Sequence, residues 1–178
     1  MRQSLFTAAL VFAPVLFLTH ANADTVFDAT LLGINETPPN ASPGIGSAVL
    51  TLHNDLNTLD VDVTFSSLVA PDSASHIHCC ASPGVAASIR LPFTGFPTGV
   101  TSGSFLSTFT LSTALTGITP ADFITGMETG QAYVNVHSSA FPGGEIRGQV
   151  VLLSTPEPAT LLLLGAGLIG FGLWKKPR

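Results

Sequence analysis

The stretch Leu59-Asp60-Val61-Asp62-Val63-Thr64-Phe65 decides the fold class, because apolar and polar residues alternate along it without interruption. Side chains of a β-strand point alternately to the two faces of a sheet, so a period of two predicts a strand with one buried face. Residues 47–53 form another candidate strand, and Asn54-Asp55-Leu56-Asn57 between the two suits a hairpin turn. The sequence therefore predicts an antiparallel pair at this position.

Further short runs typical of strands occur on both sides of this pair, separated by clusters of Gly, Pro and Ser. This spacing predicts an all-β fold, either an antiparallel sandwich or, as the alternative, a barrel. The additional runs are residues 26–32, 75–79, 87–91, 104–111, 132–137 and 145–153.

One short helix interrupts the strands. Thr119 can cap it, Pro120 fits the first helical position, and Asp122 complements the positive amino end of the helix dipole. We expect the helix to run to about Glu128 and to stop at Gly130, with a role in packing and not in a site.

The amino terminus has the features of a signal peptide, predicted over residues 1–23. Arg2 precedes an apolar run from Leu5 to Leu18, and Ala21 and Ala23 supply the small residues that a signal peptidase requires. A signal helix that is cleaved after Ala23 indicates export.

The carboxyl terminus, residues 155–178, combines Pro156-Glu157-Pro158, an apolar run from Ala159 to Trp174, and a basic end. As a helix the apolar run would be about 24 Å long, which is short of the roughly 30 Å hydrocarbon core but within reach of local thinning. We predict a transmembrane helix over 159–174, oriented with Lys175 and Lys176 in the cytoplasm. A core helix is the alternative, but the run has no polar face.

This order of elements resembles the PEP-CTERM sorting signal, with Pro156, Glu157 and Pro158 as its motif. The resemblance implies a Gram-negative bacterium and an exosortase that processes the precursor at the inner membrane. It also implies a final location on the cell surface or in the extracellular matrix, where such proteins are often associated with polysaccharide.

The charges of residues 24–154 are strongly unequal, with ten acidic residues against two basic ones, Arg90 and Arg147. An acidic surface repels the phosphate backbone, so the sequence argues against nucleic acid as a partner.

Three stretches within residues 24–154 resemble the CHRD (chordin-type) domain. They are Leu32-Gly33-Ile34-Asn35-Glu36-Thr37-Pro38-Pro39, then His76-Ile77-His78, and finally Tyr133-Val134-Asn135-Val136-His137 followed by Pro142-Gly143-Gly144-Glu145-Ile146-Arg147-Gly148-Gln149. The resemblance implies an immunoglobulin-like β-architecture and an extracellular location. It does not imply a reaction.

The histidines are the residues best suited to binding chemistry. His76 and His78 are two apart on a predicted strand, so they share a face, and His137 ends another strand. Three converging imidazoles would suit copper or zinc, whereas in the alternative interpretation the rings are structural and bond to neighbouring carboxylate or backbone groups. Candidate additional ligands are an oxygen of Glu145 or Glu36 and the thiolate of Cys80.

Cys79 and Cys80 are adjacent and are the only cysteines in the chain. In an oxidising compartment they could close a vicinal disulfide, pair with another chain, or act as thiolate ligands beside the imidazoles.

Two functions stay open at this point. The sequence has no Gly-x-Ser-x-Gly, phosphate-loop or His-Glu-x-x-His motif, so we expect no enzyme but an exported binding or structural module, anchored to or released from the envelope. The alternative is a copper or zinc protein with redox activity that uses His76, His78 and His137.

The tail interpretation can be tested by placing charges in the apolar run. Replacing both Leu163 and Leu168 with Asp should abolish membrane association of the precursor, because each mid-helix charge costs about 3 kcal/mol on insertion. Membrane fractionation measures the result, and unchanged fractionation would contradict a transmembrane helix. Substitutions in Pro156-Glu157-Pro158 serve as the matched control, since they should block processing and leave insertion intact.

Overall fold

The computed structural model describes residues 23–153, and the structural statements below refer to that part of the chain. The predicted signal peptide up to residue 22 and the predicted sorting tail, with its helix over 159–174, lie outside the described residues. No helix among the described residues has the length and apolar character needed to cross a membrane.

Antiparallel strands dominate the structure, which confirms the all-β prediction. They form one continuous sheet in the order β5-β4-β7-β8-β1-β2-β3-β6, with β9 paired to β1, and the sheet is curled into a half-barrel. The strands are β1 (Thr25–Leu32), β2 (Ile45–Leu52), β3 (Thr58–Ser66), β4 (Asp72–His78), β5 (Ile89–Pro92), β6 (Gly103–Thr110), β7 (Tyr133–Ser138), β8 (Ile146–Gln149) and β9 (Val151–Leu152). A 3-10 turn (Gly33–Asn35) and two helices, α1 (Leu111–Ala114) and α2 (Pro120–Glu128), complete the described elements.

The side chains of β3 alternate between a buried and an exposed face of the sheet, as the period of two predicts. Val61 and Val63 are fully buried, whereas Asp62 between them is exposed and faces outward. The predicted hairpin at residues 54–57 is also present, and Asp55 stabilises it by accepting the backbone N–H of Asn57 at 2.8 Å. One face of the sheet is therefore apolar and the other is free to carry polar residues.

Aromatic contacts bring the two edges of the sheet together across the inside of the curl. Phe93, which follows the edge strand β5, stacks on Phe105 of the opposite edge strand β6 with 5.4 Å between ring centroids. Phe109, also on β6, lies 5.9 Å from Phe93. The single sheet therefore covers its own inner face, which places the fold closer to the barrel alternative than to two stacked sheets.

Helix α2 begins and ends where the sequence predicted. The Thr119 side chain accepts the Asp122 N–H, and Gly130 follows the helix with a φ of +68° that favours glycine. Phe123 and Met127 are fully buried, so the helix packs one face onto the core.

Cys79 and Cys80 form a vicinal disulfide, which is the first of the three states considered for this pair. Gly126 of α2 lies directly against it. A Cβ atom at Gly126 would overlap the sulfur atoms of both cysteines. This close approach explains a glycine inside a helix, where it is otherwise unfavourable.

The Gly126→Ala substitution should therefore destabilise the oxidised protein. Alanine has the higher helix propensity by about 1 kcal/mol, but we expect the overlap with the disulfide to outweigh this and to cost about 1–3 kcal/mol. Urea unfolding measures the change. Gly143→Ala is the matched control, because an added Cβ there meets no atom within 4 Å. A Gly126→Ala protein as stable as wild type would contradict the close packing.

Candidate metal centre

Strands β4, β7 and β8 carry a polar cluster on the outer face of the sheet. In the register of these strands His76 is opposite Asn135, Asn135 is opposite Arg147, and His78 is opposite Tyr133. Ile77, between the two histidines, is fully buried on the inner face. His76 and His78 therefore share the outer face.

The structure brings His137 to the same place. The ligand atoms of His76, His78 and His137 all lie within 4.8 Å of one another. The ring centroids of His76 and His137 are 4.9 Å apart, and those of His76 and His78 are 5.6 Å apart. The three rings thus form one cluster built from two neighbouring strands.

Backbone carbonyl groups determine which ring nitrogens are free. Nδ1 of His78 lies 2.8 Å from the carbonyl oxygen of Ala87, and Nδ1 of His137 lies 2.9 Å from that of Pro142. A carbonyl oxygen only accepts, so both Nδ1 atoms carry the proton and both Nε2 atoms of the neutral rings carry a lone pair. Such a hydrogen bond on the far nitrogen is the usual support of a metal-binding histidine.

Two buried nitrogens of the cluster have no hydrogen-bond partner, namely Nδ1 of His76 and Nε2 of His78. Buried polar atoms are nearly always satisfied, so unpaired nitrogens within one cluster fit a site for a cation. The alternative of purely structural histidines would pair these atoms with neighbouring groups.

The charge state of the rings also suits a metal. Burial, with smaller effects of His137 and His78, lowers the pKa of His76 to about 4. Burial likewise lowers the pKa of His78 and of His137. The rings are therefore neutral at pH 7, which is the state that binds metal.

Tyr133 and Arg147 hold one ring of the cluster in place. The ring of Tyr133 stacks on His78 at 4.6 Å with planes 5° apart, and the Arg147 guanidinium carbon lies 3.4 Å from the centre of the Tyr133 ring. Arg147 also donates hydrogen bonds to the Thr37 hydroxyl and the Val85 carbonyl group. Two loops, before β2 and after β4, are thereby held over the outer face.

The structure does not bring the predicted additional ligands Glu145 and Cys80 into the three-histidine group. Glu145 precedes β8 and is fully buried, and its Oε1 accepts the Ser42 hydroxyl and the Val69 N–H, both at 2.6 Å. The Cys80 sulfur is part of the disulfide. Among the described residues neither joins the group formed by the three histidines.

Asn135 also belongs to this cluster, although it was not among the candidate ligands predicted from the sequence. Its Oδ1 lies 3.2 Å from Nε2 of His137, and the residue is 2 % exposed. The period of two in Tyr133-Val134-Asn135-Val136-His137 contained the necessary signal, because it puts Asn135 on the same face as His137.

Comparison with protein-family models finds two matches, the CHRD domain over residues 27–150 and the PEP-CTERM protein-sorting motif over residues 154–176. Comparisons with curated proteins and with solved structures gave no match. The sorting motif is the exosortase substrate signal, and it indicates export and membrane-associated processing in the cell envelope. All three histidines fall within the larger match, and the chain belongs to the CHRD domain family.

Proposed function

We propose that this exported protein is a non-enzymatic module of the cell envelope or extracellular matrix, and that its CHRD domain binds one zinc or copper ion through His76, His78 and His137. Two observations together carry the metal site: His76 and His78 each have a buried nitrogen without a hydrogen-bond partner among the described residues, and one ligand atom from each of the three rings lies within 4.8 Å of the others.

The geometry is close to that of an occupied site. Zinc binds imidazole nitrogen at about 2.0–2.1 Å, so the nitrogens of a tetrahedral site are about 3.4 Å apart. The ligand atoms of the cluster are within 4.8 Å of one another, so binding requires the separations between them to shorten by at most about 1.4 Å. A small rotation of the His76 ring, whose Nδ1 has no hydrogen-bond partner within the described part of the chain, would supply such a movement, while Tyr133 holds His78 and the Pro142 carbonyl group holds His137.

The sorting motif and the charge support the location and the partners in this proposal. A processed protein would stay on a Gram-negative cell surface or enter the matrix, and extracellular polysaccharide would be its neighbour there. The acidic domain, with only Arg90 and Arg147 as bases, does not repel neutral glycans. A redox role for bound copper is the second candidate, favoured by the three imidazole ligands.

Metal analysis of the purified wild-type protein tests the proposed site. We expect one zinc or copper ion per chain and a loss of affinity of at least tenfold in each of His76→Ala, His78→Ala and His137→Ala, because two remaining ligands compete poorly with water. His53→Ala is the control, since His53 pairs with Asp24 and Asp60 at the far end of the sheet. Wild-type protein without stoichiometric metal would contradict the site. Copper-loaded protein that is not reduced by ascorbate would exclude the redox role.

The pH dependence of stability in the metal-free protein gives a second test, with opposite signs at two histidines. The folded pKa of His76, about 4, lies below the unfolded value, so this residue removes stability as the pH falls below 6.5, by at most about 2 kcal/mol between pH 8 and pH 5. The hydrogen bond to Asp60 raises the pKa of His53, so His53 adds stability that is present below pH 6.5 and lost as the pH rises through its folded pKa.

We therefore expect His76→Gln to reduce the loss of stability on acidification and His53→Gln to increase it. Urea unfolding at pH 8 and pH 5, in the presence of a chelator, measures both changes. Equal pH dependence in wild type and His76→Gln would show that His76 is not held neutral in the folded state.

A further inference from the structure

We infer that the amide oxygen of Asn135 is the fourth ligand of the ion and that the buried carboxylate of Glu36 positions this amide. The inference rests on the proposed three-histidine site and extends it to a set of three nitrogens and one oxygen.

The position of Asn135 is central to the cluster. Asn135 is directly opposite His76 in the pairing of β7 with β4, and it lies two residues before His137 on the same face of β7. Its Oδ1 is 3.2 Å from Nε2 of His137. Only 2 % of its surface is exposed, so its side chain is buried within the cluster.

The contact between Asn135 and His137 joins two acceptors. His137 donates its Nδ1 proton to the Pro142 carbonyl oxygen, so Nε2 of the neutral ring carries a lone pair. The amide oxygen that faces it also only accepts. Two acceptors at 3.2 Å repel each other, whereas a cation bound to both turns the same arrangement into an attractive one.

Glu36 determines which end of the Asn135 amide faces the rings. The two ends have nearly the same shape, so their orientation follows from the surrounding polar groups. Glu36 is 7 % exposed and its buried Oε1 has no hydrogen-bond partner in the part of the chain that the structure describes, while its carboxyl group and Nδ2 of Asn135 both lie within 3 Å of the position that a Cβ atom of Gly144 would take. A carboxylate accepts only, so the amide NH₂ group turns to Glu36 and the oxygen turns to the histidines.

Gly144 leaves the space that this arrangement needs. A Cβ atom at Gly144 would overlap the Glu36 carboxylate and would lie 2.9 Å from Nδ2 of Asn135. Gly144 also has a φ of +128°, a backbone conformation that favours glycine. Gly144, in the turn before β8, thus allows Glu36 and Asn135 to come together.

The additional oxygen changes which metals the site prefers. Imidazole accepts zinc, cobalt and both oxidation states of copper, but an amide oxygen is a hard ligand that Cu(I) does not favour. The oxygen should therefore contribute to the binding of Zn²⁺ and Co²⁺ and contribute little to the binding of Cu(I).

Two substitutions at Asn135 test the ligand in the full protein as purified. We expect Asn135→Ala to weaken Zn²⁺ binding at least tenfold and to change the visible spectrum of bound Co²⁺, which reports coordination number. Asn135→Asp keeps an oxygen at the same position and should bind Zn²⁺ more tightly than Asn135→Ala, although its second oxygen then meets the Glu36 carboxylate, which opposes full recovery. Cu(I) affinity should stay within about threefold of wild type in both variants.

Glu36→Leu tests the positioning role, because it removes the group that orients the amide. It should weaken Zn²⁺ binding in the wild-type background and have no further effect when Asn135 is already Ala. Additive losses would show that Glu36 acts on the site by another route. Asn57→Ala is the control: Asn57 accepts the Ser112 N–H in the hairpin region, so its loss can lower stability without changing metal affinity.

The outcomes distinguish a failure of the fourth ligand from a failure of the three-histidine site. The fourth ligand would be overturned if Asn135→Ala bound Zn²⁺ as tightly as wild type and gave the same Co²⁺ spectrum. The three-histidine site would then stay in place. Wild-type protein that binds no metal would overturn both. If Asn135→Ala does not fold, Asn135→Ser takes its place, since the shorter side chain cannot reach the ion, and the same comparison with Asp decides.

Discussion

The structure depends on the contact between the two edges of its sheet. Phe93, beyond one edge strand, packs on Phe105 and Phe109 of the other, so a single curled sheet encloses its own apolar face. No second sheet is then needed to bury Val61, Val63 and the other inward residues. Because the inner face supplies the hydrophobic stabilisation, the outer face of β4, β7 and β8 can hold polar residues.

The chemistry of the outer face follows from this division. Buried polar groups must find partners, and here backbone carbonyl groups take one nitrogen each of His78 and His137. Arg147 fastens two loops through Thr37 and Val85, and burial lowers the pKa of each of the three rings so that they are neutral at pH 7. A cluster that is largely buried, neutral and partly unpaired is well suited to a cation, because one cation interacts favourably with several lone pairs at once.

Local patterns predicted the elements of this fold well, since β3 and α2 are specified by periodicity and by capping at Thr119. The single curled sheet was harder to predict, because it depends on the pairing of β1 with β8, in which Leu32 and Arg147 are 115 residues apart in the sequence. The shared face of His76 and His78 follows from a period of two, whereas the approach of His137 depends on the register of β4 with β7. The position of Glu145 could not be read from the local pattern, because its side chain accepts hydrogen bonds from Ser42 and Val69, both more than 70 residues away in the sequence.

The pairing of β9 with β1 determines at which end of the sheet the chain enters and leaves the domain. Phe27 is opposite Leu152, so the chain enters the sheet and leaves it at the same end, and the sorting motif begins directly afterwards at residue 154. Arg147 is opposite Leu32, which lies at the other end of β1 and about 17 Å further along the strand. Asn135 and His76 continue the same row across the sheet, because Asn135 is opposite Arg147 and His76 is opposite Asn135. The histidines therefore lie at the end of the sheet opposite to the one at which the chain leaves it, so the loops that cover them are far from the strand that leads to the sorting motif.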